Sequence, residues 1–171
     1  MLCAWSTDGV RLLSRDGRDR LIVWDAETGQ KLWELRAEGG VLSCAWSPDG
    51  GRLLSGGERD CLIVWDVETG QKLRELRAEG RVLSCAWSPD GGRLLSGDAG
   101  GRLIVWDAET GQRLREIFFN GSSQFAWEPV TGRITHASGL YWRDLYWEVP
   151  LPNGGVAQLP IEAAGFGTGS R

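Results

Sequence analysis

The sequence predicts an all-β chain built from a repeated four-stranded antiparallel unit, and three observations predict it. Tryptophan and cysteine return every 41 residues, as Cys3, Cys44 and Cys85, as Trp5, Trp46 and Trp87, and as Trp24, Trp65, Trp106 and Trp147. The segment Cys-Ala-Trp-Ser-Pro-Asp-Gly-Gly-Arg-Leu-Leu-Ser-Gly occurs unchanged at 44–56 and at 85–97. Within each interval, short apolar runs alternate with Gly, Asp, Pro and Ser clusters, the pattern of strands and turns. The 10 Trp and 25 Gly among 171 residues are products of this repetition.

The second unit shows each element in order. The run from Val41 to Ser47 is a first strand ended by Ser47-Pro48-Asp49-Gly50, a strong turn signal. Arg52 to Ser55 is a second strand, closed by Gly56 and Gly57. Cys61 to Asp66 is a third, rich in Ile, Val and Trp, which pack well on a pleated surface. Glu68-Thr69-Gly70 makes the next turn, and Lys72 to Ala78 is a fourth strand with Leu73 and Leu76 set among charges. A nearly apolar third strand implies burial on both faces. A charged fourth strand suits an outer edge, where charge discourages pairing with another sheet. The units run over about 1–37, 38–78, 79–119 and 120–160, with 161–171 read as a flexible tail. The fourth copy is degenerate. It reads Phe-Ala-Trp-Glu-Pro from Phe125, one residue early, and regains register by Trp147.

These residues resemble the WD-repeat β-propellers, whose blades end their third strand on a Trp-Asp pair. Here those pairs are Trp24-Asp25, Trp65-Asp66 and Trp106-Asp107, with Trp147-Glu148 a weakened fourth. The Ser-Pro-Asp-Gly and Glu-Thr-Gly turns match as well. The resemblance covers about 1–160. The chain departs from the family before the first strand, where Ala37-Glu38, Ala78-Glu79 and Phe119-Asn120 stand in place of Gly-His. It departs again between the second and third strands, where Arg18, Arg59 and Gly100 replace an Asp. In the family, that His and Asp join a Ser or Thr and the tryptophan in a buried network. Ser14, Ser55 and Ser96 keep their part of it. Glu38 and Arg59 are read either as a replacement charge pair or as solvated loop residues.

The resemblance implies four blades per chain, fewer than the seven or eight of a usual ring. An open arc of four would leave two apolar end flanks uncovered. Two such arcs would close one eight-bladed ring as a homodimer, with the first blade of each chain on the fourth of the other. The rivals are a C-terminal piece of a longer polypeptide that completes its own ring, and a steep four-bladed ring. The aromatic fourth unit, with Phe118, Phe119, Phe125, Tyr141, Trp142, Tyr146 and Trp147, is read as a cap or junction, with a binding surface of aromatic anchors as the alternative.

The functional expectation is a non-catalytic scaffold or sensor that binds a protein or peptide. Glu38, Leu42, Arg59, Asp60, Glu79 and Leu83 mark its candidate contact face. Similar bacterial arrays often follow a switch domain or a kinase in signalling proteins, and an Arg-rich chain with lysine only at Lys31 and Lys72 fits a bacterial origin. A net charge of −4 argues against nucleic acid. The absence of a long apolar run argues against a membrane span. No signal segment and no disulfide framework are evident, so a cytoplasmic setting is expected. No cofactor or metal is expected, because no Cys-x-x-Cys pair occurs and His136 is the only histidine. His136 reads as a strand histidine. The Cys3, Cys44 and Cys85 set reads as small buried apolar groups and Cys61 as the more accessible thiol. The alternatives are an amplified propeller with no ligand of its own and a hydrolase acting at the central pore.

Overall fold

The computed structural model describes residues 2–17, 19–120, 123–131, 133–138, 146–150 and 156–160. Every regular element among them is a β-strand. Strands β1 (Cys3–Trp5), β2 (Arg11–Asp16), β3 (Arg20–Asp25) and β4 (Lys31–Arg36) form one antiparallel meander. Strands β5 (Val41–Trp46), β6 (Arg52–Gly57), β7 (Cys61–Asp66) and β8 (Lys72–Arg77) form a second. The third sheet begins the same way with β9 (Val82–Trp87), β10 (Arg93–Asp98), β11 (Arg102–Asp107) and β12 (Arg113–Asn120).

The repeat reproduces geometry as well as sequence. A register shift falls between Val23 and Trp24, between Val64 and Trp65, and between Val105 and Trp106. Each shift is followed by a tight turn that Asp25, Asp66 or Asp107 caps. The Asp66 carboxylate accepts from the Thr69 amide and hydroxyl, both at 2.7 Å. Gly70 ends that turn at φ 68°, in the left-handed region that favours glycine.

Each blade has two chemically different flanks, because side chains alternate along a strand. In the second blade Leu53, Cys61, Ile63, Trp65 and Val67 face the first blade, packing with Leu13, Leu21, Val23, Leu35 and Ala37. Its other flank, Leu54, Leu62, Val64, Leu76 and Ala78, packs on Val82, Leu94, Ile104, Trp106 and Ala108 of the third blade. The apolar third strand is therefore covered on both faces, as its composition implied. Full burial of one such Leu or Ile contributes roughly 1.5–3 kcal/mol. Gly56 permits this closeness, because a Cβ there would come 2.4 Å from Val82 Cγ1. Within the second blade, a Cβ on Gly57 would come 2.3 Å from the Gly40 carbonyl oxygen.

The fourth unit differs from expectation. Strands β13 (Ser123–Glu128) and β14 (Arg133–Ser138) do not open a sheet of their own; β13 pairs with β12, making a six-stranded sheet. Strands β15 (Tyr146–Pro150) and β16 (Val156–Pro160) pair as a separate hairpin. The physical reason lies in β12. Its second half, Ile117-Phe118-Phe119, lacks the charges that guard the outer edge of β8, so nothing there discourages another strand. Only two residues separate β12 from β13, which favours a hairpin. Arg18 and the expected tail, 161–171, lie outside the described residues, as do Tyr141 and Trp142.

Candidate protein-interaction surface

The strand order β1 to β4 and its repeats place the connections between blades and the turns between second and third strands at one end of the sheets. Glu38 follows β4, and Arg59 and Asp60 form the turn into β7. The Arg59 guanidinium donates to the Glu38 carboxylate at 3.0 Å. Both side chains are mostly exposed, so the pair stands in solvent and contributes little to stability. Asp60 adopts φ 54°, a left-handed conformation otherwise held by glycine among the described residues. Glu79 pairs instead with Arg113, at 2.9 Å, and this holds its carboxyl below the usual range. Leu42 is half-buried in β5 and Leu83 is exposed in β9. The six expected contact residues thus occupy two adjacent blades, with one ion pair among them.

The remaining part of the inner network is present. The Trp24, Trp65 and Trp106 indole N–H groups donate to Ser14, Ser55 and Ser96 Oγ at 2.8, 2.8 and 2.9 Å. In the second and third blades these bonds are buried. The corresponding side chain of Trp147 lies outside the described residues, as does that of His136.

A cleft of about 440 Å³ opens beside this end of the second blade, lined by Arg36, Glu38, Arg59, Cys61, Lys72 and Arg77 among others. The neighbouring blades explain why it is there. The position of Cys61 holds Arg20 in the first blade and Arg102 in the third. Arg102 lies over the Phe118 ring at 4.8 Å and reaches Asp98 at 3.9 Å, filling the equivalent space. The position of Lys72 holds Arg113 in the third blade, where it lies over Trp106 at 5.0 Å. In the second blade, the short Cys61 and the straight Lys72 leave the space open. Lys72 is drawn toward Glu75 at 2.7 Å, which raises the ammonium pKa and lowers that of the carboxyl. Sequence reasoning missed this cleft, although a Cys among arginines at one repeat position was its visible signal.

The cysteines correct two expectations, that Cys61 is the accessible thiol and that Cys3 is buried. Cys61 is buried at 8% exposure, because it opens the doubly covered third strand, while Cys3 is exposed. Burial pushes the Cys44 thiol up to about 12 and the Cys85 thiol up to about 11. Among the described residues no group of three or more His, Cys, Asp or Glu side chains is arranged to hold a metal ion.

Meanders of this kind, stacked face to face with a Trp-Asp pair at each third strand, define blades of a β-propeller. Two WD repeats are matched in the chain: the family described as WD domain, G-beta repeat matches residues 29–66 and 70–107. Each matched stretch takes the last strand of one blade and the first three of the next. Residues 4–44 match the family described as outer membrane protein assembly factor BamB. No curated protein matches the sequence. Among solved structures, Kuenenia stuttgartiensis hydrazine synthase superposes with a TM-score of 0.63 at 19% identity, over 89% of this chain and 52% of that one. U3-55K superposes with a TM-score of 0.66 at 17% identity, over 77% of this chain and 49% of that one. The chain spans about half the length of each neighbour, and at these identities the likeness is one of fold.

Proposed function

We propose that the chain is a non-catalytic scaffold module that binds a protein or peptide at the end of the sheets where Glu38, Arg59, Asp60 and Glu79 lie. The WD repeats support an interaction role. The single observation that carries the location is the cleft, where among the described residues Arg36, Arg59, Lys72 and Arg77 face Glu38 and Glu75. This excess of positive charge on an otherwise acidic chain favours an acidic peptide segment. The turns between second and third strands differ between blades, Gly57-Glu58-Arg59-Asp60 in the second against Asp98-Ala99-Gly100-Gly101 in the third, while the strands around them repeat, which is how a rigid scaffold carries a specific surface.

The finer reading is a cytoplasmic, bacterial signalling module that works as a homodimer. In it two chains close one ring, with the first blade of each packed on the terminal blade of the other. Cysteines placed at repeat positions, instead of in a disulfide framework, support a reducing setting.

The test is fluorescence titration of matched acidic and basic dodecapeptides on the wild-type chain and on the Arg36→Glu and Arg59→Glu variants. Acidic peptides should bind and both substitutions should weaken binding. If the wild type binds neither set, or if the substitutions change nothing, the reading is wrong.

A further inference from the structure

The first blade presents, uncovered, the same flank that the second and third blades bury. Trp46 and Trp87 pack against the blade before them, in company with Leu53 and Leu94. Their repeat equivalents in the first blade are Trp5 and Leu12. Trp5 is 64% exposed, against 7% for Trp46. With Cys3, Ala4, Leu13 and Trp24, these residues line an apolar groove of about 480 Å³.

The covered joints show what such a flank recognises. Arg11 of the first blade lies over the Trp46 ring at 5.4 Å, and Arg52 of the second lies over Trp87 at 4.6 Å. Arg11 continues to the Gly50 carbonyl at 3.2 Å, tying the ring contact to the next blade's turn. Neither indole N–H finds an acceptor among the described residues, so the ring face makes the recognition. A guanidinium over an indole face is a favourable pairing, stronger when water is excluded.

The opposite end of the arc offers the complement. Leu95 and Phe119, on the far flank of the third blade, are 36% and 42% exposed. Their counterparts in the second blade, Leu54 and Ala78, are buried under the third blade. The third blade, which ends the stack among the described residues, keeps the arginine at this repeat position as Arg93. Arg93 is exposed, with no ring beneath it among the described residues.

We infer that the Trp5 flank is a docking surface for the terminal flank of a second copy of this chain, whose repeat-position arginine stacks on Trp5 as Arg11 stacks on Trp46. The inference rests on the homodimer reading above and adds the residues of its joint. A second copy is the occupant because its free flank carries the residue types that already cover Trp46 and Trp87. The contact is head-to-tail, and two such contacts close a two-chain ring.

The test joins two readouts on the full chain. Sedimentation across a range of concentrations gives the mass, and N-ethylmaleimide modification followed by peptide mass mapping gives the reactivity of Cys3. Cys3 labelling should slow as the mass rises from 18.8 kDa toward twice that value. The Trp5→Ala variant should dissociate roughly tenfold or more readily, with Cys3 open at every concentration. Trp5→Phe, which keeps an aromatic face, should fall between the two. Trp5 is exposed in the single chain, so the circular dichroism of these variants should match the wild type. A dimer whose Cys3 stays fully reactive, or one unaffected by Trp5→Ala, overturns this joint while leaving the homodimer standing. A single-chain mass at every concentration overturns both.

Discussion

Replacing Ser55 by Ala removes one hydroxyl and leaves the Trp65 indole N–H without its acceptor. The bond is 2.8 Å long, and Ser55 and Trp65 are 2% and 5% exposed, so water has no route to replace it. A buried donor stranded in this way costs about 1–3 kcal/mol. With a urea dependence of about 2 kcal/mol per molar, that is a fall in midpoint of roughly 0.5–1.5 M. The same bond recurs in the third blade, where Ser96→Ala should cost a similar amount. In the first blade, Trp24 borders the open groove, and water can take over from Ser14. Ser14→Ala should therefore cost less than about 0.5 kcal/mol in a dilute single chain. At concentrations where a second copy covers the groove, its cost should rise toward that of Ser55→Ala. Urea titrations followed by tryptophan fluorescence at two protein concentrations measure all three. Equal costs for Ser14→Ala and Ser55→Ala in the dilute chain would refute the claim that the two flanks differ in cover.

Further outcomes follow from the same geometry. Gly57→Ala should destabilise by more than about 2 kcal/mol in thermal melts, since its Cβ meets backbone at Gly40 that cannot step aside. Arg74→Ala should cost about 1 kcal/mol, read by the same melts, because Arg74 ties the second blade to the Glu109 and Thr110 carbonyls of the third. Hydrogen bonds from Thr28, Thr69 and Thr110 hold Asp25, Asp66 and Asp107 below the usual carboxylate range. Lowered folded-state values add stability above the unfolded value near pH 4, and that stability is lost as pH falls through the folded values. Melting temperature should thus hold between pH 7 and 5 and decline below about pH 4, with a shallower decline in Asp66→Asn.

The blades were legible because their causes are local and repeated. Ser-Pro-Asp-Gly and Glu-Thr-Gly specify turns, the Ile-Val-Trp runs specify the doubly covered third strand, and charges mark β4 and β8 as outer strands. The fate of the fourth unit was harder to read, because it depends on a competition between edges. Phe118 and Phe119 made β12 an acceptor for β13, and the pair Asn120-Gly121 between apolar runs was the available sign. The cleft at Cys61 depended on which side chain fills a gap, a matter of packing that periodicity does not carry. Glu38 and Arg59 were legible as partners in charge, while their exposure was decided by how far the loops stand from the sheets. Trp33 joins the Glu68 carbonyl at 2.7 Å across two blades, a latch that no local pattern announces.

Each blade's flank is made to be covered by another blade. Sedimentation equilibrium of the wild-type chain tests it most directly. A mass rising to twice 18.8 kDa with concentration is expected, formed by closed two-chain rings. A stable single chain that keeps Trp5, Leu95 and Phe119 in water at every concentration would contradict it.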